Sequence, residues 1–118
     1  MNQYEVCEKF LEGWRDENYV DLMNLVQKTW ASKQKNIIHS IKYILNHFKV
    51  IDYNINRVEY NKGSKEVVDA YVEVEGVSKL DIRIRLVREK APYKPSENGE
   101  WGVNPISILQ SFYNVKRN

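Results

Sequence analysis

The sequence contains a single cysteine, Cys7, and therefore cannot form an internal disulfide. Nothing in it requires an oxidising compartment. We expect Cys7 to be a small apolar side chain on one face of a helix rather than a reactive thiol. The reason is that no nearby histidine or cationic pocket accompanies it.

Long apolar runs are also missing. The most apolar stretch, "NIIHSIKYILNHF", is interrupted by His39, Ser40, Lys42 and Asn46, so it cannot span a bilayer. The N-terminus lacks the basic and then apolar pattern of a signal peptide. We expect no membrane segment in this chain and a cytoplasmic location, or an extracytoplasmic one if the chain is a fragment of an anchored protein.

Neither sign of charge is in large excess. The chain has 18 lysines and arginines against 16 acidic residues, which gives a formal net charge of +2. The two signs are interspersed along most of the chain, and the C-terminal "VKRN" is too short to act as a nucleic-acid arm. This distribution argues against a dedicated nucleic-acid binder.

Metal-binding and catalytic motifs are absent from the sequence. The two histidines, His39 and His47, are eight residues apart, which separates them by about 80° around a helix, so they share no metal-binding edge. No Ser-His-Asp pattern, phosphate loop or Cys/His metal spacing occurs. We predict no metal, no cofactor and no catalytic residue, and we expect both histidines to be solvated or locally hydrogen-bonded.

The first half of the chain has helical periodicity. Apolar residues recur at intervals of three and four in three segments, which predicts three helices. The stripes are Cys7, Phe10, Leu11 and Trp14; Tyr19, Leu22, Met23, Val26 and Trp30; and Ile37, Ile41, Ile44, Leu45 and Phe48. We expect Gly13 and the following "RDEN" to end the first helix, and Asn18 to cap the second.

The second half alternates apolar and polar residues, which is typical of strands. The alternation predicts an antiparallel hairpin with one buried face. Its buried residues are Val68, Ala70, Val72, Val74, Leu80, Ile82, Ile84 and Leu86. On the other face, acids and arginines can form cross-strand pairs.

Two flanking strands break this alternation. The apolar phase slips by one residue near Asn56 and Arg57, and again at Asn104 and Pro105 between Trp101 and Leu109. A slip would expose half of each strand's apolar side chains unless a β-bulge restores their facing. We therefore predict a bulge at both places, with residues 101–112 continuing a strongly bent sheet in which Ile106 and Ile108 also face inward.

These elements predict an α+β fold over one domain, residues 1–118. Three N-terminal helices pack on the concave face of a bent four-stranded antiparallel sheet. The order of elements resembles the nuclear transport factor 2-like superfamily, whose cone-shaped domains share the cystatin-like fold. The resemblance rests on "FLEGWRDENYVDLMNLVQKTW", which looks like the first two helices of that family, and on "NGEWGVNPISIL", which looks like its closing strand.

The resemblance implies several functions, because the fold does not select one. Some members are isomerases, dehydratases, hydrolases or cyclases of small hydrophobic molecules. Others are non-catalytic domains that bind proteins, including assembly modules of bacterial conjugation and type IV secretion machines. Enzymes of this fold place an acid, base or donor on the inward face of the cone, whereas all the inward positions predicted here are aliphatic.

We therefore predict a non-catalytic interaction module, for which the family resemblance implies a place in conjugation or secretion machinery. Its protein partner would contact Tyr93, in the long loop "REKAPYKPSENGE", or Arg83 and Arg85 on the charged face of the sheet. A homodimer through the sheet is one form of this prediction. The alternative is a binder of a small hydrophobic ligand, with Tyr19, Trp30, Tyr53 and Trp101 lining the mouth of the cone, or less favourably an enzyme. A cavity larger than about 300 Å³ with a buried carboxyl or imidazole group would favour that alternative.

Overall fold

The computed structural model describes residues 1–58, 63–77, 79–90 and 94–113. Its helices are α1 Gln3–Arg15, α2 Tyr19–Leu25, α3 Lys28–Ser32, α4 Ile37–Leu45 and α5 Pro105–Phe112. Its strands are β1 Val50–Val58, β2 Lys65–Val74, β3 Leu80–Lys90, β4 Lys94–Pro95 and β5 Glu100–Asn104. The strands form one antiparallel sheet, in which β1 pairs with β2, β2 with β3, and β3 with both β4 and β5. The α+β class predicted from the sequence is confirmed.

Helix α1 carries the predicted buried stripe and ends at Arg15, within the predicted terminating segment "RDEN". Its N-terminus is closed by a capping box, in which the Asn2 side chain accepts from the backbone N–H of Glu5 and Glu5 accepts from that of Asn2. Gly13 lies inside the helix rather than at its end. A Cβ atom at Gly13 would lie 3.1 Å from the Leu22 side chain, so the glycine lets α2 pack closely against α1.

The predicted second helix is divided in two. Asn18 caps α2 as expected, because its side chain accepts from the backbone N–H of Asp21 at 3.3 Å. The helix then ends before Val26, which forms a parallel bridge with Val103, and Gln27 N donates to Val103 O at 2.8 Å. The prediction of one helix up to Trp30 is wrong. Pairing with the edge of the sheet satisfies the backbone at Val26 better than a further helical turn, and short-range periodicity cannot reveal it.

The hairpin of β2 and β3 is confirmed with its buried face. The eight predicted inward residues are all at most 5% exposed. On the other face, Asp69 is opposite Arg83 in the register, and Arg83 Nε lies 3.2 Å from Asp69 Oδ1. This is one of the cross-strand charge pairs that the alternation predicted.

One of the two predicted bulges is present. The register between β1 and β2 shifts between Ile55 and Arg57, where the apolar phase slips, and shifts a second time between Val50 and Asp52. The first shift keeps both Ile55 and Val58 partly buried against the core.

The prediction for residues 101–112 is wrong. The strand β5 ends at Asn104, and Pro105 is the first residue of α5. Pro at the first helical position needs no N–H donor and has a suitable φ, and the Asn104 side chain caps the helix by accepting from Ile106 N at 3.0 Å. Ile106 is 39% exposed instead of inward, whereas Ile108 is fully buried. The stretch "NGEWGVNPISIL" is therefore strand only in its first part, which removes some of the basis of the family resemblance.

Helix α5 takes the place of a strand along the edge of β3. The Ser107 hydroxyl accepts a hydrogen bond from Arg85 N at 3.0 Å, and the Ser111 hydroxyl accepts one from Arg83 N at 3.2 Å. The two serines are one helical turn apart, which matches the spacing of N–H groups on one edge of a strand. The helix thereby satisfies donors that β5, ending at Asn104, does not reach.

The core lies between one face of the sheet and the helices. Helix α1 contacts β1, β2 and β5, while α2 packs between α1 and α4. Phe112 of α5 joins the core through an edge contact with Phe48, with ring centroids 4.8 Å apart, and a tilted contact with Trp14 at 6.0 Å. Within the described ranges, no helix is long and apolar enough to cross a membrane.

Candidate functional site

Tyr19 and Tyr53, two of the four predicted ligand contacts, are held by separate local interactions. Tyr19 donates its hydroxyl hydrogen to Asn46 Oδ1 at 2.7 Å, and Lys42 Nζ lies 4.9 Å from the centre of its ring. The guanidinium of Arg15 lies 5.4 Å from the ring centre of Tyr53. Partial burial raises the pKa of both tyrosines above the ordinary value.

The other two predicted ligand contacts, Trp30 and Trp101, lie in different elements and have different neighbours. Trp30 lies in α3, half-buried against the core, and its carbonyl accepts from Gln34 Nε2. Trp101 lies in β5 opposite Arg88, whose guanidinium is 4.4 Å from the centre of the indole. Trp101 lines a cavity of about 360 Å³ together with Asn24, Lys28 and Asn98. The ligand contact predicted for these four aromatic residues stays a prediction, and the observed partners of each are intramolecular.

The predicted partner residues Arg83 and Arg85 lie together on the sheet face opposite the core. Both are exposed, with 77% of the Arg83 side chain accessible. Tyr93 lies outside the described residues. We call this surface of β1, β2 and β3 the open face. It consists of Asp52, Asn54, Arg57, Lys65, Val67, Asp69, Tyr71, Glu73, Asp81, Arg83, Arg85 and Val87.

Charges on the open face are segregated along the strands. Residues that pair across β1, β2 and β3 form rows that run across the strands. The first row holds Asp52 and Glu73, and the second holds Asn54, Tyr71 and Asp81. The next rows hold Arg57, Asp69 and Arg83, then Val67 and Arg85, then Lys65 and Val87. Among these described residues, the end near the β2–β3 turn is mainly acidic and the opposite end mainly basic. Lys79, 3.7 Å from the ring centre of Tyr71, partly offsets the acidic end.

A groove runs between the open face and α5. Its volume is about 390 Å³, and it is lined by Arg83 and Arg85 of β3 and by Ser107, Gln110 and Ser111 of α5. The hydrogen bonds from β3 to the two serines form its floor and hold α5 at a fixed distance from the strand.

One inward position of the sheet that was not among those predicted, Glu66, is not aliphatic. This residue is opposite the buried Leu86 in the register and is 6% exposed. Its Oε1 accepts from the backbone N–H of Val67 at 3.0 Å, whereas its Oε2 is buried and has no hydrogen-bond partner among the described residues. The sequence contained the signal, since extending the alternation of Val68, Ala70 and Val72 by one step reaches Glu66.

A cavity of about 600 Å³ adjoins Glu66. It lies where β2, β3 and β5 meet the segment that follows α2. Its polar lining residues are Gln27, Lys65, Glu66, Arg85 and Asn104, of which Lys65 and Arg85 belong to the open face whereas Glu66 faces inward. Val67, Leu86, Val87 and Pro95 supply its apolar lining. The volume exceeds about 300 Å³, which by itself would favour a ligand binder. Glu66 Oε2, however, has almost no accessible surface, so this carboxyl oxygen does not open into the cavity.

A second buried carboxyl group, Glu89, has partners. It is 5% exposed and accepts from the backbone N–H of Thr29 at 3.3 Å, from the Thr29 hydroxyl, and from Gln27 Nε2 at 3.5 Å. These bonds attach the start of α3 to the end of β3. Glu89 is therefore explained by structure, in contrast to Glu66.

Cys7, His39 and His47 are the other titratable residues considered from the sequence, and their surroundings are those of structural residues. Cys7 is fully buried, and burial raises the pKa of its thiol from 9.0 to about 12, as expected for a packed rather than a reactive cysteine. His39 and His47 are exposed, and His47 Nδ1 lies 2.9 Å from the carbonyl oxygen of Ile44. In the part of the chain that the structure describes, no group of three or more His, Cys, Asp or Glu side chains is arranged to hold a metal ion.

The chain matches no protein-family profile and no curated protein.

Proposed function

We propose that the chain is a non-catalytic interaction module and that its open face binds a second copy of the same chain. The observation that carries the proposal is the segregation of acidic and basic residues along the strands of this face. The cone shape, with helices on the concave side of the sheet, and a place in conjugation or secretion machinery belong to the same proposal as predictions from the family resemblance.

The charge pattern is self-complementary under two-fold symmetry. A two-fold axis that lies in the interface and runs across the strands reverses the strand direction of the second copy. On β2 this places Glu73 against the partner's Lys65, and on β3 it places Asp81 against the partner's Arg85. An isologous contact of this kind uses the same patch twice, as most homodimers do.

The composition of the open face favours a polar, salt-sensitive interface. Its exposed apolar contribution is small, with Val67 at 37% exposure and Tyr71 and Val87 half-buried. A stable interface usually buries about 1,200–2,000 Å² of surface summed over both partners. In the proposed dimer this area comes from the open face and the adjoining side of α5 of each copy. Attraction between the opposed charges should therefore make a large contribution and weaken as salt is added.

Multi-angle light scattering on a size-exclusion column tests this proposal. At about 100 µM protein and about 0.05 M salt we expect a dimer, and at about 0.5 M salt a shift towards monomer. The double variant Arg83→Glu/Arg85→Glu should be monomeric in both conditions, because it places carboxylates against the partner's acidic end. Losing the exposed Arg83–Asp69 pair costs at most about 1 kcal/mol of stability, so the variant should remain folded.

A matched control reverses two lysines away from the open face. Lys33→Glu/Lys35→Glu changes the net charge by the same amount at exposed positions between α3 and α4. It should dimerise as the wild type does. A wild-type chain that stays monomeric at low salt, or a control that loses the dimer as fully as Arg83→Glu/Arg85→Glu, would contradict the proposal.

A further inference from the structure

The basic end of the open face borders the cavity of about 600 Å³ with two cationic and two apolar side chains. They form two neighbouring rows across β2 and β3, in which Val67 is opposite Arg85 and Lys65 is opposite Val87. The two cations are therefore diagonal neighbours on the same face of the sheet. Long side chains reach each other at this spacing, so one anion can contact both Lys65 and Arg85.

Two further lining residues lie on this same side of the sheet. Asn104 is opposite Arg85 in the register of β3 and β5, so both side chains belong to the open side. Gly102 is opposite Val87, and a Cβ atom at Gly102 would lie 2.7 Å from Gln27 Cα. Gln27 therefore covers the sheet next to Val87 and forms one wall of the cavity.

The positive charge at this end of the open face is not compensated within the protein. Among the described residues, the side chains of Lys65 and Arg85 have no ion-pair or hydrogen-bond partner, whereas Arg83 pairs with Asp69. Glu89, the next acid along β3 on this side, is held by the segment at the start of α3 and does not line the cavity. Two neighbouring cations without an acid between them favour an anionic ligand.

The apolar part of the lining favours an organic anion over an inorganic one. Val67 is 37% exposed, and Val87 and Pro95 continue its apolar surface. An inorganic anion would leave this surface in contact with water, whereas a hydrocarbon group would cover it.

The hydrogen-bond donors of the cavity suit a carboxylate better than a phosphate. Phosphate sites commonly use backbone N–H groups at the start of a helix. At the start of α5, Pro105 has no N–H group, and Ile106 N already donates to Asn104 Oδ1. The donors that remain are the amide nitrogen of Asn104, the ammonium group of Lys65 and the guanidinium of Arg85, whose fork matches a carboxylate.

From this combination we infer that the cavity binds a small organic acid, that is, a carboxylate with an apolar body. The carboxylate lies between Arg85 and Lys65, and the body covers Val67 and Val87. Glu66 takes no part, because it faces inward and its Oε2 has almost no accessible surface. Binding is non-covalent and involves no reaction.

Titration followed by ¹H–¹⁵N NMR tests the site with phenylacetate as the probe. We expect saturable shifts that centre on the backbone amides of Lys65, Val67, Arg85, Val87 and Asn104, with a Kd below about 5 mM. Phenylacetamide has the same shape without the charge, and acetate has the charge without the apolar body. Each should bind at least about tenfold more weakly than phenylacetate.

Three variants separate the assigned contacts from general effects of charge. Arg85→Gln removes the guanidinium and should weaken phenylacetate binding about tenfold. Lys49→Gln is the matched control, because it removes one positive charge at an exposed position beside Glu75, at the end of β2 opposite Lys65. It should bind phenylacetate as the wild type does. Glu66→Gln should also bind normally, since this side chain faces inward.

Several outcomes would overturn the inference. One is the absence of saturable shifts with phenylacetate up to about 20 mM. Equal affinity for phenylacetamide, unchanged binding to Arg85→Gln, or weakened binding to Lys49→Gln would overturn it as well. Phenyl phosphate gives a further comparison, because affinity about tenfold higher than that of phenylacetate would identify a phosphate site and contradict the carboxylate.

The inference goes beyond the proposed function, and the two can fail separately. Glu73→Lys/Asp81→Lys alters the acidic end of the open face and leaves every cavity residue in place. It should bind phenylacetate although it does not dimerise, and loss of binding in this folded variant would contradict the site.

A competition experiment rests on the proposed function as well, because the ligand and the second copy would use the same two cations. If the wild type dimerises through the open face, about 20 mM phenylacetate should shift it towards monomer, whereas acetate at the same concentration should not. Binding that maps to the cavity while the dimer persists would support the cavity site and contradict the open-face dimer.

Discussion

Replacing Ser107 with alanine should destabilise the protein because this serine joins α5 to the edge of β3. Its hydroxyl accepts from Arg85 N at 3.0 Å and donates to Asn104 O at 2.6 Å, and the residue is 5% exposed. Each of the two hydrogen bonds contributes about 1 kcal/mol net. The higher helix propensity of alanine offsets about 0.5 kcal/mol, which leaves an expected loss of about 1.5 kcal/mol.

Urea unfolding followed by circular dichroism measures this loss directly. The midpoint should fall with the slope unchanged, and the thermal midpoint should decrease by about 6 °C. Ser111→Ala should cost less, because Ser111 is only half-buried. Ser32→Ala is the control, since this exposed hydroxyl donates only to Thr29 O in its own helix. A loss below about 0.5 kcal/mol for Ser107→Ala, or a larger loss for Ser111→Ala, would refute the role given to α5.

Four further substitutions test individual parts of the structure. Burial raises the pKa of the Cys7 thiol from 9.0 to about 12, so between these pH values the folded state keeps a proton that the unfolded chain loses. The free energy of unfolding should therefore fall by up to about 1.4 kcal/mol per pH unit between pH 9 and 12. Cys7→Ala should reduce this slope when urea unfolding is measured at several pH values. Gly102→Ala should cost more than about 2 kcal/mol in thermal unfolding, because its Cβ would lie 2.7 Å from Gln27 Cα, whereas a neutral effect would show that the contact yields easily. In thermal unfolding, Glu89→Ala should lose about 3 kcal/mol of stability and Thr29→Ala clearly less. Equal losses, or a larger loss for Thr29→Ala, would contradict the role given to the buried hydrogen bonds of Glu89.

The hairpin was predictable because its information is local. The alternation from Val68 to Leu86 requires only that one face be buried, and a phase slip near Arg57 is visible without knowing the partner strand. The cap at Asn18 is equally local, since it depends on residues three positions apart.

The errors arose where distant segments decide the backbone conformation. Val26 has helical spacing, yet its pairing with Val103 ends the helix, and that contact spans most of the chain. Pro105 was interpreted as a bulge because the apolar phase was followed through it as a strand. The Asn-Pro pair is also a typical helix start. The helix rather than the bulged strand forms here because the Ser107 hydroxyl then accepts from the backbone N–H of Arg85 in β3.

The residues of the candidate site were predictable only where they depend on local alternation. Arg83 and Arg85 follow from alternation alone, whereas the segregation of charge needs the register of three strands. Glu66 was within reach of the alternation, but the cavity beside it depends on how Gln27 and Asn104 meet from other elements.

The most direct test of the open face as a self-complementary interface mixes two variants that should each be monomeric. Lys65→Glu/Arg85→Glu makes both ends of the face acidic, and Glu73→Lys/Asp81→Lys makes both ends basic. Under the two-fold arrangement they complement each other, so sedimentation velocity of an equimolar mixture should give a heterodimer while each variant alone sediments as a monomer. A mixture that sediments as two monomers, with both variants folded, would contradict the account.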